Sequence, residues 1–137
     1  AQYSQKLSLG VNINIVSRKS AIIFECDKEQ MNRVIFNLVK NSIESIQQKA
    51  QNTSDFDKKI TIEISDENGH ISIVINDSGI GFGNFTHNIK DVLNPYFTTK
   101  KNGTGLGLSI VNKIINDHNG KLNFVSIPHG AKIKIIF

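Results

Sequence analysis

Cysteine, proline and tryptophan are nearly missing from this chain of 137 residues, which holds one, two and none of them respectively. A lone Cys26 cannot close an internal disulfide, which excludes a disulfide-stapled scaffold; beside an apolar run it reads as a small buried hydrophobe. The scarcity of proline, with 39% hydrophobic and 20% charged residues, argues against a disordered tail and fits one folded domain with a real core. Long apolar runs are lacking as well, since none approaches the roughly 20 residues that cross a bilayer. The opening Ala1-Gln2-Tyr3-Ser4-Gln5-Lys6 has no basic-then-apolar order, so no secretory signal is read there and a cytoplasmic setting is expected. Arginine is sparse, only Arg18 and Arg33, and the lysines behind the net charge of +4 are scattered. No basic stripe for nucleic acid is therefore expected.

Glycine, by contrast, is concentrated. Gly103, Gly105 and Gly107 alternate in Lys100-Lys101-Asn102-Gly103-Thr104-Gly105-Leu106-Gly107-Leu108, and the run passes into an apolar pattern of helical period at Leu108, Val111, Ile114 and Ile115. Bare backbone N–H groups at a helix start, with about half a positive charge from the helix dipole, make an anion site. Phosphate chemistry is the functional reading. A flexible loop before an ordinary amphipathic helix is the bland one, and a lone glycine run does not decide between them.

In chain order, residues before Leu7 show no period and read as a linker, residues 1–8, from something upstream. Val11, Ile13 and Ile15 alternate with asparagines, and Ala21-Ile22-Ile23-Phe24 follows a polar turn, which predicts two short strands. Asp27 with Gln30 resembles a capping box ahead of Met31, Val34, Ile35, Leu38, Ser42 and Ile46, the pattern of a long amphipathic helix. On its neighbouring face Asn37, Asn41 and Glu44 fall at i, i+4 and i+7, so three polar ends gather beside the apolar stripe. A ligand-binding edge and a merely solvated face both fit that spacing. Ile60, Ile62 and Ile64, then Ile71, Ile73 and Ile75, alternate with other residues around Asn68-Gly69, a strong hairpin signal. The second of these strands runs into Asp77-Ser78-Gly79-Ile80-Gly81, which can be an ordinary strand-end turn or a carboxylate with room beside it. Residues 82–102 form a long connection of the kind used for lids, with a short helical turn near residues 88–93. A helix from Gly105 to about His118, stopped by Asn119-Gly120, and two strands at residues 121–127 and 131–137 complete the order.

Four of these clusters together resemble the boxes of the histidine-kinase ATP-binding domain, in the family's order. Asn37-Leu38-Val39-Lys40-Asn41-Ser42-Ile43-Glu44-Ser45 is similar to its N box, and Asp77-Ser78-Gly79-Ile80-Gly81 to its first glycine box. Tyr96-Phe97-Thr98-Thr99-Lys100 is similar to the phenylalanine box and Gly103-Thr104-Gly105-Leu106-Gly107-Leu108 to the second glycine box. The whole resembles most the nitrogen-regulation type of sensor kinase. Departures are small: Ser42 stands where alanine is commoner, and Leu93-Asn94 replaces the usual Phe-Glu before Pro95.

The resemblance implies an α/β (α+β) fold, the Bergerat two-layer α/β sandwich: a mixed, mostly antiparallel sheet of about five strands covered on one face by about three helices. It implies a catalytic domain over residues 9–137 with a mobile ATP lid at about 82–102, and ATP and magnesium as cofactors. Asn37, Asn41 and Lys100 are its implied catalytic residues, with Asn41 the magnesium ligand. Nucleotide contacts fall on Asn37, Asn41, Ser45, Asp77, Gly79, Gly81, Tyr96, Phe97, Thr98, Thr99, Lys100, Gly103, Thr104, Gly105, Leu106, Gly107 and Leu108. Asp77 would accept a hydrogen bond from the adenine amine while Gly79 and Gly81 leave room for the ring.

The implied reaction is transfer of the ATP γ-phosphate to a histidine on an upstream dimerisation domain, then to a response-regulator receiver. The parent protein is expected to be a homodimer, with or without an anchor in the inner membrane, and this chain alone a monomer. His70, His87, His118 and His129 are not followed by the acidic and basic residues of the phosphoacceptor box. ATPase relatives of the same superfamily hold a glutamate base where this chain has Asn37, and an amide cannot take a proton from water. An ATPase module, a protein-serine kinase of the anti-sigma type, and a module that binds without chemistry are the competing readings.

Overall fold

The computed structural model of the protein describes residues 2–6, 10–18, 22–53, 55–81 and 107–137. Alternation of isoleucine with other residues builds the sheet. Strands β1 (Gln2–Lys6), β2 (Asn12–Ser17), β3 (Lys59–Glu67), β4 (His70–Asp77), β5 (Lys121–Ile127) and β6 (Gly130–Ile136) pair in the order β1-β2-β3-β4-β6-β5. Only β2 and β3 are parallel; the other neighbours are antiparallel. Parallel neighbours need a crossover, and α1 (Lys28–Ala50) lies between them in sequence. The β3–β4 hairpin turns at Asn68 and Gly69 with φ of 56° and 80°, the left-handed pair that a two-residue loop demands.

Ile60, Ile62, Ile73, Ile75, Ile133 and Ile135 are all buried, and the register places Ile62 opposite Ile75 and Ile75 opposite Ile133. Residues paired across a sheet share a face, so these side chains line one side. The opposite side carries Thr61, Asn76 and Lys132 in one row and Glu63, Val74 and Lys134 in the next. The helices cover the isoleucine side. In α1 the buried Val34, Leu38, Ser42 and Ile46 recur at four-residue spacing, and α2 (Gly107–Asp117) buries Val111, Ile114 and Ile115. The two helices pack on one another, α1 against β3 and β4 and α2 against β5.

Three local expectations are corrected. Residues 22–25 form no strand: Phe24 instead stacks at 4.6 Å on Phe137, the last residue after β6. Cys26 is exposed rather than buried, because it sits in the same irregular connection just ahead of the α1 cap. Within the stretch read as linker, Gln2–Lys6 pair antiparallel with β2 as an edge strand. The expected helical turn near residues 88–93 and the lid at 82–102 lie outside the described residues, and two helices are found among those described.

Leu38 is fully buried between the helices and the sheet. Leu38→Ala should lower the stability by about 2–5 kcal/mol, the usual cost of a cavity at such a position, measured by urea unfolding.

Candidate functional site

The cap of α1 follows from its sequence. Asp27 accepts a hydrogen bond from the Gln30 amide at 3.1 Å, half of a capping box. The other half comes from elsewhere: the Asp27 N–H donates to His118 Nε2 at 3.1 Å, while His118 Nδ1 lies 2.8 Å from the Ile114 carbonyl. A backbone N–H can only donate, so Nε2 is the acceptor and Nδ1 carries the hydrogen. His118 thereby ties the start of α1 to the end of α2. Asn119, with φ of 58°, ends α2, and the Gly120 N–H returns to the Ile115 carbonyl at 2.9 Å.

Ten residues into α1 stands Asn37. Its Nδ2 donates back to the Arg33 carbonyl at 2.9 Å, an acceptor that only the amino end of the amide can satisfy. The amide oxygen is thereby turned outward, toward the first residue of α2. A Cβ added to Gly107 would stand 3.5 Å from Asn37 Oδ1 and 4.0 Å from Asn41 Nδ2. The N-box amides and the last glycine of the second glycine box therefore face one another, and any side chain at 107 would enter the space between them. Leu108 follows in α2, half-buried against the core.

Further along α1, Ser42 and Ser45 meet the end of β4. Asp77 is 8% exposed, and its Oδ1 accepts from the Gly79 amide at 2.9 Å. The Ser42 hydroxyl and the Ala131 amide also donate to it. Burial pushes the Asp77 carboxyl above its ordinary pKa of 3.8, while these three hydrogen bonds and the charge of Lys49 pull the other way. Ser45 Oγ accepts from the Ile80 amide at 3.0 Å.

The two glycines of this box are required for a reason the sequence does not carry. A Cβ at Gly79 would fall on Ser45 Oγ and within 2.7 Å of the Ser45 carbonyl carbon, so bare backbone is what lets α1 approach the strand end. Gly81 has φ of 71°, and a Cβ there would meet the Gly130 carbonyl oxygen. The space that a Cβ would fill at each of these glycines is taken by the protein itself.

The structure thus brings together Asn37, Asn41 and Gly107 at one end of the helix pair, and Ser45, Asp77, Gly79 and Gly81 at the other end of the N box. Tyr96, Phe97, Thr98, Thr99, Lys100, Gly103, Thr104, Gly105 and Leu106 lie outside the described residues. Sequence reasoning marked Ser42 only as a departure from the commoner alanine, and it passed over Lys49 and Gly130. Spacing was the available signal for Lys49, which stands four residues beyond Ser45 and so on the same side of α1.

Residues 26–137 match the family described as histidine kinase-, DNA gyrase B-, and HSP90-like ATPase, and the chain belongs to that family. It is 36% identical over 115 residues to a Rickettsia felis protein named as an NtrY-like sensor histidine kinase, covering 83% of this chain and 18% of that protein. Sporulation kinase A of Bacillus subtilis is 31% identical over 133 residues, 93% of this chain and 20% of the kinase. The chain therefore spans about a fifth of the length of these relatives. Among solved structures, the catalytic domain of histidine kinase ThkA in a nucleotide-free form superposes with a TM-score of 0.75 at 27% identity, over 93% of this chain and 78% of that one.

Because burial raises the Asp77 pKa, the native protein keeps this proton to a higher pH than the unfolded chain does. The group therefore favours folding most at low pH, and that contribution is lost as the pH rises from 3.8 through the raised native value. Asp77→Asn cannot titrate and should lack this part of the pH dependence. Urea unfolding of both proteins in steps from about pH 4 to 8 checks it: their stability difference should change as the pH rises from 3.8 through the raised native value and stop changing beyond that value.

Proposed function

We propose that this chain is the ATP-binding catalytic unit of a sensor histidine kinase, which transfers the γ-phosphate of ATP to a histidine on a dimerisation domain outside the chain. The observation that carries the reading is the meeting of the Asn37 and Asn41 amides with Gly107 at the N-terminus of α2, on the same helix that buries Asp77. Anion-seeking backbone, neutral amide oxygens and a shielded carboxylate together suit a triphosphate, its metal and an amino-purine.

Asp77 reads the base. It is an acceptor held by three donors on its protein side, and an exocyclic amine can supply a further one. Guanine presents a carbonyl at the corresponding place, so a buried acceptor would face another acceptor, at a cost of roughly 1–3 kcal/mol. Gly107 and the start of α2 offer N–H groups and the positive end of a dipole to phosphate oxygens. Asn41, with Asn37 supporting it, offers neutral oxygen chemistry of the kind magnesium accepts when phosphates supply its other ligands. The metal, when bound, neutralises phosphate charge. Lys100 joins the phosphate end in this proposal, with Tyr96, Phe97, Thr98, Thr99, Gly103, Thr104, Gly105 and Leu106 in the lid and glycine boxes. Ser45 holds the first glycine box through the Ile80 amide.

Transfer to an outside nucleophile follows from what α1 lacks. Asn37 has no basic atom with which to deprotonate water, and a neutral imidazole attacks phosphorus without first losing a proton. The proposed partners are accordingly the histidine-bearing dimerisation domain of the same protein and a receiver domain, in a homodimeric parent. No described helix is long and apolar enough to cross a membrane. A cytoplasmic location for this unit belongs to the same proposal.

Calorimetry should show ATP and ADP binding with magnesium, with GTP weaker by about 5- to 150-fold, and Asp77→Asn should remove most of the ATP binding. Equal competition by GTP would end the assignment of Asp77. With labelled ATP and magnesium, the chain alone should turn over very slowly, and acid-labile phosphate should appear when the histidine-bearing hairpin of the parent protein is added. Asn41→Asp should cripple that transfer. Vigorous hydrolysis by the chain alone, unaffected by Asn41→Asp, would favour an ATPase instead.

A further inference from the structure

Lys49 lies in the last turn of α1, half-buried, with its ammonium turned onto the strand end that carries Asp77. Its Nζ donates to the Ser78 carbonyl at 3.1 Å and stands 4.7 Å above the centroid of the Phe56 ring. Ser78 is the residue between Asp77 and Gly79. From β3, the Lys59 amide donates to the Ser78 hydroxyl at 3.0 Å, and the Ser78 amide donates to the Lys59 carbonyl at 3.1 Å. Ser78 is thus held by the sheet through its amide and hydroxyl and by the Lys49 ammonium through its carbonyl.

A lysine in the last helical turn also complements the helix dipole. That role would be filled by any cation in contact with solvent, and it explains neither the Ser78 contact nor the ring beneath the ammonium. We infer that Lys49 is a positioning residue for nucleotide recognition, holding the Ser78 peptide so that the Asp77 carboxylate keeps its orientation toward the purine amine. The inference rests on the reading of Asp77 as the base-recognising group.

Charge acts in the same direction as geometry. Among the groups around Asp77, Ser42 from α1, Gly79 from its own turn and Ala131 from β6 donate hydrogen bonds, and Lys49 is the charged neighbour that favours ionisation. Asp57, Lys59 and His129 border the same cavity of about 320 Å³. Removing the Lys49 charge should therefore make Asp77 harder to ionise as well as less well held.

The test follows the Asp77 carboxyl by ¹³C NMR titration of the free 137-residue chain, with ADP binding measured by calorimetry over the same pH range. In Lys49→Met the Asp77 titration should move to higher pH, ADP affinity at neutral pH should fall several-fold, and the pH at which half the affinity is lost should rise in step. Lys49→Arg should restore all three. Where Lys49→Met does not fold, Phe56→Leu should move the same quantities in the same direction by less. A folded variant with an unmoved titration, or a moved titration that leaves ADP binding unchanged, overturns the inference. Absence of ADP binding by the unsubstituted chain overturns the reading of the site instead, and the carboxyl titration still decides whether Lys49 governs Asp77.

Discussion

Contact between bare backbone at Gly79 and the side of α1 at Ser45 is the constraint on which the site depends. A methyl group at 79 would lie 2.7 Å from the Ser45 carbonyl carbon, closer than carbon atoms pack, so the helix would have to move away. That movement would not stay local. Ser42 would leave Asp77, Ser45 would leave the Ile80 amide, and Lys49 would leave the Ser78 carbonyl, since all three residues stand on the same stretch of α1. Asn37 and Asn41, on the preceding turns, would move relative to β4 with the rest of the rigid helix. One absent Cβ therefore sets the separation between the carboxylate and the amides.

Burying Asp77 in an otherwise isoleucine-rich sheet face works against folding, because desolvation disfavours its charge. The cost is contained by supplying donors rather than by opening the site to water. Ser42 is the informative one: an alanine at that position would pack as well in the apolar stripe yet donate nothing, while serine is 2% exposed and bonded to the carboxylate. A residue that looked like a gap in the amphipathic pattern is a polar support placed inside it.

Regular elements were legible where the local code is strong. The alternating isoleucines, the Asn68-Gly69 turn and the capped, four-spaced stripe of α1 appear where their patterns point. Strand β1 was not legible, since Gln2-Tyr3-Ser4-Gln5-Lys6 has no apolar alternation and its pairing with β2 is a tertiary effect. Residues 22–25 failed the other way: a short apolar run does not distinguish a strand from an irregular segment, and the Phe24–Phe137 contact joins positions far apart in sequence. In the site, the identities of Asn37, Asn41, Asp77 and Gly107 were readable from spacing and resemblance. The reason for Gly79 and Gly81 was not, because it resides in Ser45 and Gly130, which only the folded chain places against them.

The opposite ends of the helix pair show how the amides come to face Gly107 at all. His118 fixes the end of α2 to the cap of α1 at Asp27. From Asp27 to Asn37 is ten residues of α1, about 15 Å of helix, and from His118 back to Gly107 is eleven residues of α2, about 16 Å. Two helices pinned at one end, with segments of matched length running back from the pin, bring those two residues level. The position of the start of α2 is therefore set by a contact at the opposite end of that helix, and the histidine that makes it serves as a ruler's fixed end.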